Sequence, residues 1–299
     1  MKKFIIVTDS CCDLDAKLRA EYDIEYIPMH FSFDGKDFDA DLDWRKISVK
    51  EFYDVMRSGT RIITAQVSAR EYKERFTKYL NEGFDILSIS CSSALSASVK
   101  ASYVAKEELV AEHPERKIVC IDSLISCGGL AMICVKAAQL RAEGKSIDEV
   151  AEWIEANKLC FNQEATVDKL VYLRQAGRIS ASSAFFGGLL SVKPLIISDI
   201  NGQNVSIEKV KGRKTSITRL AERIKDSYSG TEFKEIFVYH ADCEEEAEEF
   251  KSQIAKTLGI DESLIMIGGI GPILGASCGP GMMGAYFFGK KVDFDGSAK

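Results

Sequence analysis

The first half of this chain repeats one pairing of signals: a short, continuously apolar run, then a serine-led helix start. Residues 4–8, 85–91 and 117–121 are brief apolar stretches carrying β-branched side chains, the pattern of strands buried on both faces. Ser48-x-x-Glu51, Ser68-x-x-Glu71 and Ser146-x-x-Glu149 read as capping boxes, in which serine and glutamate satisfy the free amides at a helix amino end. Tyr72, Phe76, Tyr79 and Leu80 then recur at helical spacing, as do Val150, Trp153 and Ile154. Strands that alternate with helices dictate an α/β fold, and its sheet is mostly parallel because parallel neighbours need such crossovers.

Length sets the number of units. At 299 residues the chain exceeds one average domain, so two α/β domains are expected, 1–160 and 161–299, with a ligand cleft between them. The division falls near 157–165, where a helix should end and an extended polar stretch begin. In the second domain 235–241 and 264–268 read as strands around an acidic helix over 243–258, and 285–288 as a closing strand. A net charge of −6 opposes a nucleic-acid binder. The nine cysteines are odd in number and lack a Cys-x-x-Cys pair, so neither a disulfide framework nor a zinc ribbon is expected. Cys91, Cys120 and Cys134 fall in apolar, strand-like runs and read as small core hydrophobes, in a reducing, cytoplasmic setting. The apolar run after Met1 stops at Thr8, too short for the centre of a signal peptide. No run approaches a membrane span, so no stable membrane insertion is expected.

The apolar runs end in Asp9-Ser10, Ser92-Ser93 and Asp122-Ser123. Ligands of open α/β sheets bind beyond the carboxyl ends of the strands, although Ser and Asp are also ordinary cap residues. Two hydroxyl-bearing loops stand out: Thr64-Ala65-Gln66, just before the helix capped by Ser68, and Ser92 to Ser98, leading into a helix that runs to about Glu112. Free N–H groups and the positive dipole end favour anions at helix amino termini. Two of them converging would hold one carboxylate without a permanent cation. Ser96 reads as an N-cap first and a ligand contact second. Arg178, in a glycine-flanked turn, either reaches solvent or faces an anion, because an unpaired buried arginine is costly. The apolar stretch 185–192 is either core or the wall of a lipid tunnel.

Other signals fail on their own chemistry. Gly275-Ala276-Ser277-Cys278-Gly279 matches a nucleophile elbow, but that chemistry needs a histidine after the serine, and His30, His113 and His240 all precede it. Gly144-Lys145-Ser146 has Gln139 where a phosphate loop needs glycine. Asp37, Asp39, Asp41 and Asp43 alternate like a calcium loop, yet Leu42 holds the glycine position and Ser48 the terminal glutamate's; a solvated acidic turn is expected. Lys209, Lys211, Arg213, Lys214 and Arg219 read as a solvated face, or as a dock for an acidic partner. No catalytic residue and no metal ligand is assigned.

Six segments, in order along the whole chain, resemble the DegV family of bacterial fatty-acid-binding proteins. They are Val7-Thr8-Asp9-Ser10 with Asp13-Leu14, Thr64-Ala65-Gln66, Ser92-Ser93-Ala94-Leu95-Ser96-Ala97-Ser98, residues 173–180 around Gly177-Arg178-Ile179, residues 189–195, and residues 275–284. The resemblance implies a buried long-chain fatty acid, such as palmitate, between two α/β domains, and no catalytic activity. Its carboxylate would be held by Thr64 and Ser96, with Ser92, Ser93 and Arg178 alongside and Ser277 near the head group. It also implies presentation of the acid to a fatty-acid kinase for phospholipid synthesis, with no cofactor beyond the lipid. Ser277 stands where the family pattern has histidine, and Ala65, Val67, Ala97 and Ala176 replace Ser, Pro, Gly and Gly. These departures bear on service to a kinase more than on lipid binding. The energetics suit the reading: about fourteen methylenes at ~0.8 kcal/mol each give a gross burial term on the order of 11 kcal/mol, before association costs. The competing readings are an acyl hydrolase using Ser277, a phosphotransfer protein using the strand-end Ser and Asp groups, and a lipid-sensing regulatory module that docks through 209–219.

Overall fold

The computed structural model describes residues 3–179 and 192–296. The chain begins with strand β1 (Phe4–Asp9), helix α1 (Ala16–Tyr22) and β2 (Ile24–Ile27), then forms a hairpin of β3 (His30–Phe33) and β4 (Lys36–Asp39). Helix α2 (Val49–Arg57), β5 (Ile63–Ala65), α3 (Ala69–Asn81), β6 (Asp85–Ser90), α4 (Ser98–Glu112), β7 (Ile118–Asp122), α5 (Cys127–Ala142) and α6 (Ile147–Asn157) complete the first half. The second half runs β8 (Phe161–Thr166), α7 (Leu170–Ala176), β9 (Val192–Ser198), β10 (Asn204–Lys211), α8 (Arg213–Ser227), β11 (Ile236–His240), α9 (Glu244–Leu258), β12 (Ile265–Gly269), α10 (Pro272–Cys278) and β13 (Met283–Phe288).

Three sheets result, in the orders β2-β1-β6-β7, β4-β3-β5 and β10-β9-β8-β13-β11-β12. The first is parallel throughout, as its buried apolar runs require. All three capping boxes form, with serine hydroxyl and glutamate carboxylate exchanging bonds at α2, α3 and α6. Tyr72, Phe76, Tyr79 and Leu80 are buried along one face of α3. The strands and the acidic helix expected in the second half are present with their ends displaced by one or two residues.

Helix α5 joins the halves. Its sequence is apolar all round, which suits a helix covered on every side, and thirteen of its residues are buried. It packs on β1, β2 and β6 of the parallel sheet and on β8, β11 and β13 of the six-stranded one. The approach is close at Gly128, where an added Cβ would stand 2.4 Å from the Tyr286 ring and 2.8 Å from that of Tyr239. One continuous core therefore draws residues from both halves. No helix among the described residues is long and apolar enough to cross a membrane.

Several expectations need correction. Cys134 lies in α5, not in a strand-like run, although it is buried as expected. Of the aspartates at 37–43, Asp37, Asp39 and Asp43 are exposed as a solvated segment requires, but the four do not form one turn. Asp37 and Asp39 lie on β4, while Asp41 is largely buried and held well below the usual carboxylate range, at about 2, mainly by the Arg45 guanidinium. Asp43 pairs with Arg19 at 2.7 Å. In the basic stretch, Arg213 pairs with Glu246 and Arg219 with Glu208 and Glu222, so those two arginines belong to ion pairs rather than to a free cationic face. The apolar wall expected over 185–192 lies, apart from Val192, outside the described residues.

Candidate functional site

The polar groups at the strand ends are largely consumed in tying loops together. Asp9 is fully buried; its carboxylate accepts from the Cys11 and Cys91 amides, each at 2.9 Å, so it fastens the end of β1 to the end of β6. Burial pushes this carboxyl up to about 6 despite those bonds. Asp122 accepts from the Ser93 and Leu124 amides, and the Ser10 hydroxyl accepts from the Met29 amide. Ser92 is fully buried and donates 2.8 Å to the Gly202 carbonyl, linking the first half to the second.

A cavity of about 340 Å³ opens between β5 with the end of α2 on one side and α7 with α10 on the other, within the size range of small-molecule sites. Thr64, Arg178 and Ser277 all line it, with Arg61, Lys169 and Tyr172. Thr64 is fixed by sheet pairing opposite Phe31 of β3, whose ring stacks on Phe38 and meets Phe52 edge-on. The turn after β5 rests on α4, since the Val67 amide donates to the Ser98 hydroxyl at 3.3 Å. The Ser98 hydroxyl is in turn 3.1 Å from that of Ser96. Arg178 donates from Nε to the Leu95 carbonyl at 3.0 Å and from its terminal nitrogen to the Ala176 carbonyl at 2.6 Å. Thr64, Ser96 and Arg178, far apart in sequence, thus occupy one connected neighbourhood.

The two helix amino ends differ. At α3 the anion position is already taken: the Glu71 carboxylate accepts from the Ser68 amide and hydroxyl, and its other oxygen sits 2.6 Å from the His30 ring. At α4 the N-cap is Ala97, which has no capping side chain, while Ser96, one residue earlier, accepts from the Ser98 amide at 3.2 Å. The expected pair of converging dipoles is therefore a single open one. Charge is supplied instead by Arg178, which the sequence reading assigned, and by two cations it left unassigned, Arg61 and Lys169. Among the described residues, Arg61, Lys169 and Arg178 form no ion pair with a carboxylate, and all three line the cavity; such a mouth attracts anions. For Arg61 and Lys169 only the convergence with Arg178 reveals this, and no local spacing signals it.

Ser277 is placed unlike a nucleophile. It lies in the last turn of α10, mostly buried, with its hydroxyl donating to the Ile273 carbonyl one turn back at 3.1 Å. Ser93 offers its amide to Asp122, and neither it nor Ser92 or Ser96 lines the cavity. Behind α7 and α10 lies a smaller, almost wholly apolar void of about 20 Å³, bordered by Ala165, Val167, Leu173, Ile196, Cys278 and Tyr286.

The family model of DegV proteins matches residues 3–290. This chain belongs to the DegV family. A DegV domain-containing protein of Clostridium perfringens is 34% identical over 289 residues, covering 97% of this chain and 98% of the relative. Among solved structures, a Thermus thermophilus DegV family protein described as fatty-acid-binding superposes with a TM-score of 0.84 at 24% identity, over 97% of this chain and 100% of that one. A stearic-acid-binding protein of Eubacterium ventriosum gives 0.83 at 24% identity, over 95% and 98%. These likenesses establish the two-domain α/β fold of DegV proteins for this chain. Within that DegV fold, Thr64, on β5 of the three-stranded sheet, and Ser277, on α10 between two strands of the six-stranded sheet, line one cavity.

Proposed function

We propose that this chain binds one long-chain fatty acid, with the carboxylate in the 340 Å³ cavity and the acyl chain directed toward the apolar void behind α7 and α10. The observation that carries the reading is a single cavity in which a hydroxyl, Thr64, meets three cations without carboxylate partners among the described residues, next to an apolar interior. A carboxylate satisfies such a mouth, and the apolar void behind it, about 20 Å³ and so room for roughly one methylene, marks where the lobes would part to admit the rest of the chain. The fatty acids named for the Thermus and Eubacterium proteins support the same ligand class.

In this reading the lobes are 1–160 and 161–299, and the acid lies where they meet. Thr64 donates a hydroxyl hydrogen bond to the carboxylate from the cavity wall, and Ser96, whose loop adjoins the cavity without lining it, is assigned as the second hydroxyl donor. Arg178 supplies charge and holds the Leu95 carbonyl, so it also sets the loop that carries Ser96. Ser92 and Ser93 shape that loop through Gly202 and Asp122. Ser277 borders the head group without reacting, because its hydroxyl is bonded within α10 and the cavity lining includes no histidine to serve as its base. The protein is thus a carrier working in the cytoplasm, and presentation of the acid to a fatty-acid kinase fits a ligand whose polar end lies at the open mouth.

The test begins with denaturing the purified protein, extracting it with organic solvent and identifying what is released; a long-chain acid is expected. Thr64→Val and Ser96→Ala should each lower lipid occupancy in native mass spectrometry, by about tenfold in affinity for a lost charge-assisted hydrogen bond. Unchanged occupancy in both variants would remove these two residues from the site.

A further inference from the structure

One wall of the mouth is a single stretch of chain. Lys169, Tyr172, Gln175 and Arg178 all line the cavity, and they run from the residue before α7 to the turn after it. A carboxylate stands at the head of this stretch. Asp168 adjoins Lys169, and its side chain is 43% exposed. The Tyr172 phenol, raised chiefly by burial, also feels the Arg57 charge and, in the opposite sense, that of Asp168. Left uncompensated, this anion opposes a ligand carboxylate at the same wall.

The compensation comes from behind. Lys193 on β9 is 9% exposed, and its ammonium donates to the Asp168 carboxylate at 2.5 Å and to the Asp168 backbone carbonyl at 2.8 Å. Among the described residues the Lys193 ammonium makes no other polar contact. A buried ammonium needs such a partner, and here the partner is the one carboxylate beside the cationic wall. Packing keeps it there: a Cβ on Gly281 would stand 2.8 Å from the Asp168 side chain. Asp168 and Lys169, neighbours in sequence, thus carry opposite charges. One is neutralised by Lys193 and the other is left to the mouth.

We propose that Lys193 determines the selectivity of the mouth for an ionised acid over a neutral lipid of the same length, by neutralising Asp168 so that Lys169 and Arg178 act on the ligand unopposed. This rests on the fatty-acid reading above. Lys193 does not line the cavity; it acts through Asp168, as a positioning residue. The expected effect is about fivefold in affinity, the scale of one unit charge acting across a solvated mouth.

The experiment measures retention of stearic acid and, separately, of octadecan-1-ol by native mass spectrometry. It uses the full chain and its Lys193→Met, Asp168→Asn and double variants, with thermal melting to report folding. In about 20 mM ammonium acetate, Lys193→Met should bind stearic acid about fivefold more weakly and hold the alcohol as the unmodified protein does. The deficit should shrink in about 0.5 M salt. Adding Asp168→Asn should restore stearic acid to within about twofold. Equal losses of acid and alcohol in Lys193→Met overturn the inference, as does a double variant as weak as the single one, since either makes Lys193 only a tether for α7. Should Lys193→Met fail to fold, Asp168→Asn alone decides: it leaves the Lys193 charge uncancelled and should tighten stearic acid but not the alcohol, and unchanged or weaker binding of the acid overturns the inference. Failure of the unmodified protein to bind stearic acid would instead sink the fatty-acid reading itself, and this inference with it.

Discussion

Asp13→Asn should make this protein more stable at neutral pH, and the gain should vanish in acid. Asp13 is 5% exposed and sits in the left-handed backbone region at φ 51°, which asparagine tolerates as well as aspartate. One carboxylate oxygen accepts from the Gly271 amide at 3.0 Å, at the start of α10, while the other is buried with no partner among the described residues. Burial raises this carboxyl from its ordinary 3.8 to about 7, against the smaller opposing effects of the Cys127 thiol and the Gly271 amide. A carboxyl raised on folding stabilises the folded chain below its unfolded value, and that stability is lost as pH rises toward the folded one. Between about pH 4 and 7 the native state binds the extra proton, so stability falls as pH increases. The full cost of the charge at pH 8 is on the order of 4 kcal/mol. Asparagine keeps the acceptor for Gly271 and carries no charge at any pH. Urea unfolding of both proteins at pH 4 and pH 8 isolates the effect, because Glu164 is common to both and Asp9 couples to Asp13 only as the smallest of its causes. The stability difference should move toward the variant by several kcal/mol between the two pH values. A difference that stays flat would refute the assignment of a neutral, proton-holding Asp13.

Three further outcomes follow from single contacts. Gly128→Ala places a methyl group against the Tyr286 and Tyr239 rings, and should destabilise the chain by about 1–3 kcal/mol in denaturant melts. Arg178→Ala removes the bond to Leu95 together with one cation of the mouth; fatty-acid affinity measured by calorimetry should drop about tenfold or more, with weaker dependence on salt. Ser277→Ala deletes only a hydroxyl bonded within its own helix, so lipid occupancy should stay within about twofold, and acyl-ester turnover that disappears in this variant would revive the hydrolase reading.

What could be read from the sequence divides along a physical line. Signals that act within one element were legible: Ser48, Ser68 and Ser146 cap their helices because serine and glutamate three residues apart need no tertiary partner. Burial on both faces likewise wrote β1 and β6 as apolar runs, while β7, at the sheet edge, is buried only in part. The β3–β4 hairpin was also written locally, in Asp34-Gly35, both at positive φ between Phe31, Phe33 and Phe38, a standard turn signal obscured by the neighbouring aspartates. Signals that depend on distance between segments were not legible. Nothing near Ser68 says that Glu71 fills the anion position at α3 while Ala97 leaves that of α4 open, since a capping box reads as a helix start whatever lies opposite it. Arg61 and Lys169 were invisible as site residues because a cation's meaning is set by the absence of a nearby carboxylate, and that is decided by folding. Gln163 and Asn204 carry no local signal; only folding brings them together as a hydrogen-bonded pair beside the apolar void. The loops around Thr64 and Ser96 were therefore visible as motifs, whereas the cations and buried polar pairs beside them emerge only from tertiary contacts, and it is on those that experiments on this protein should concentrate.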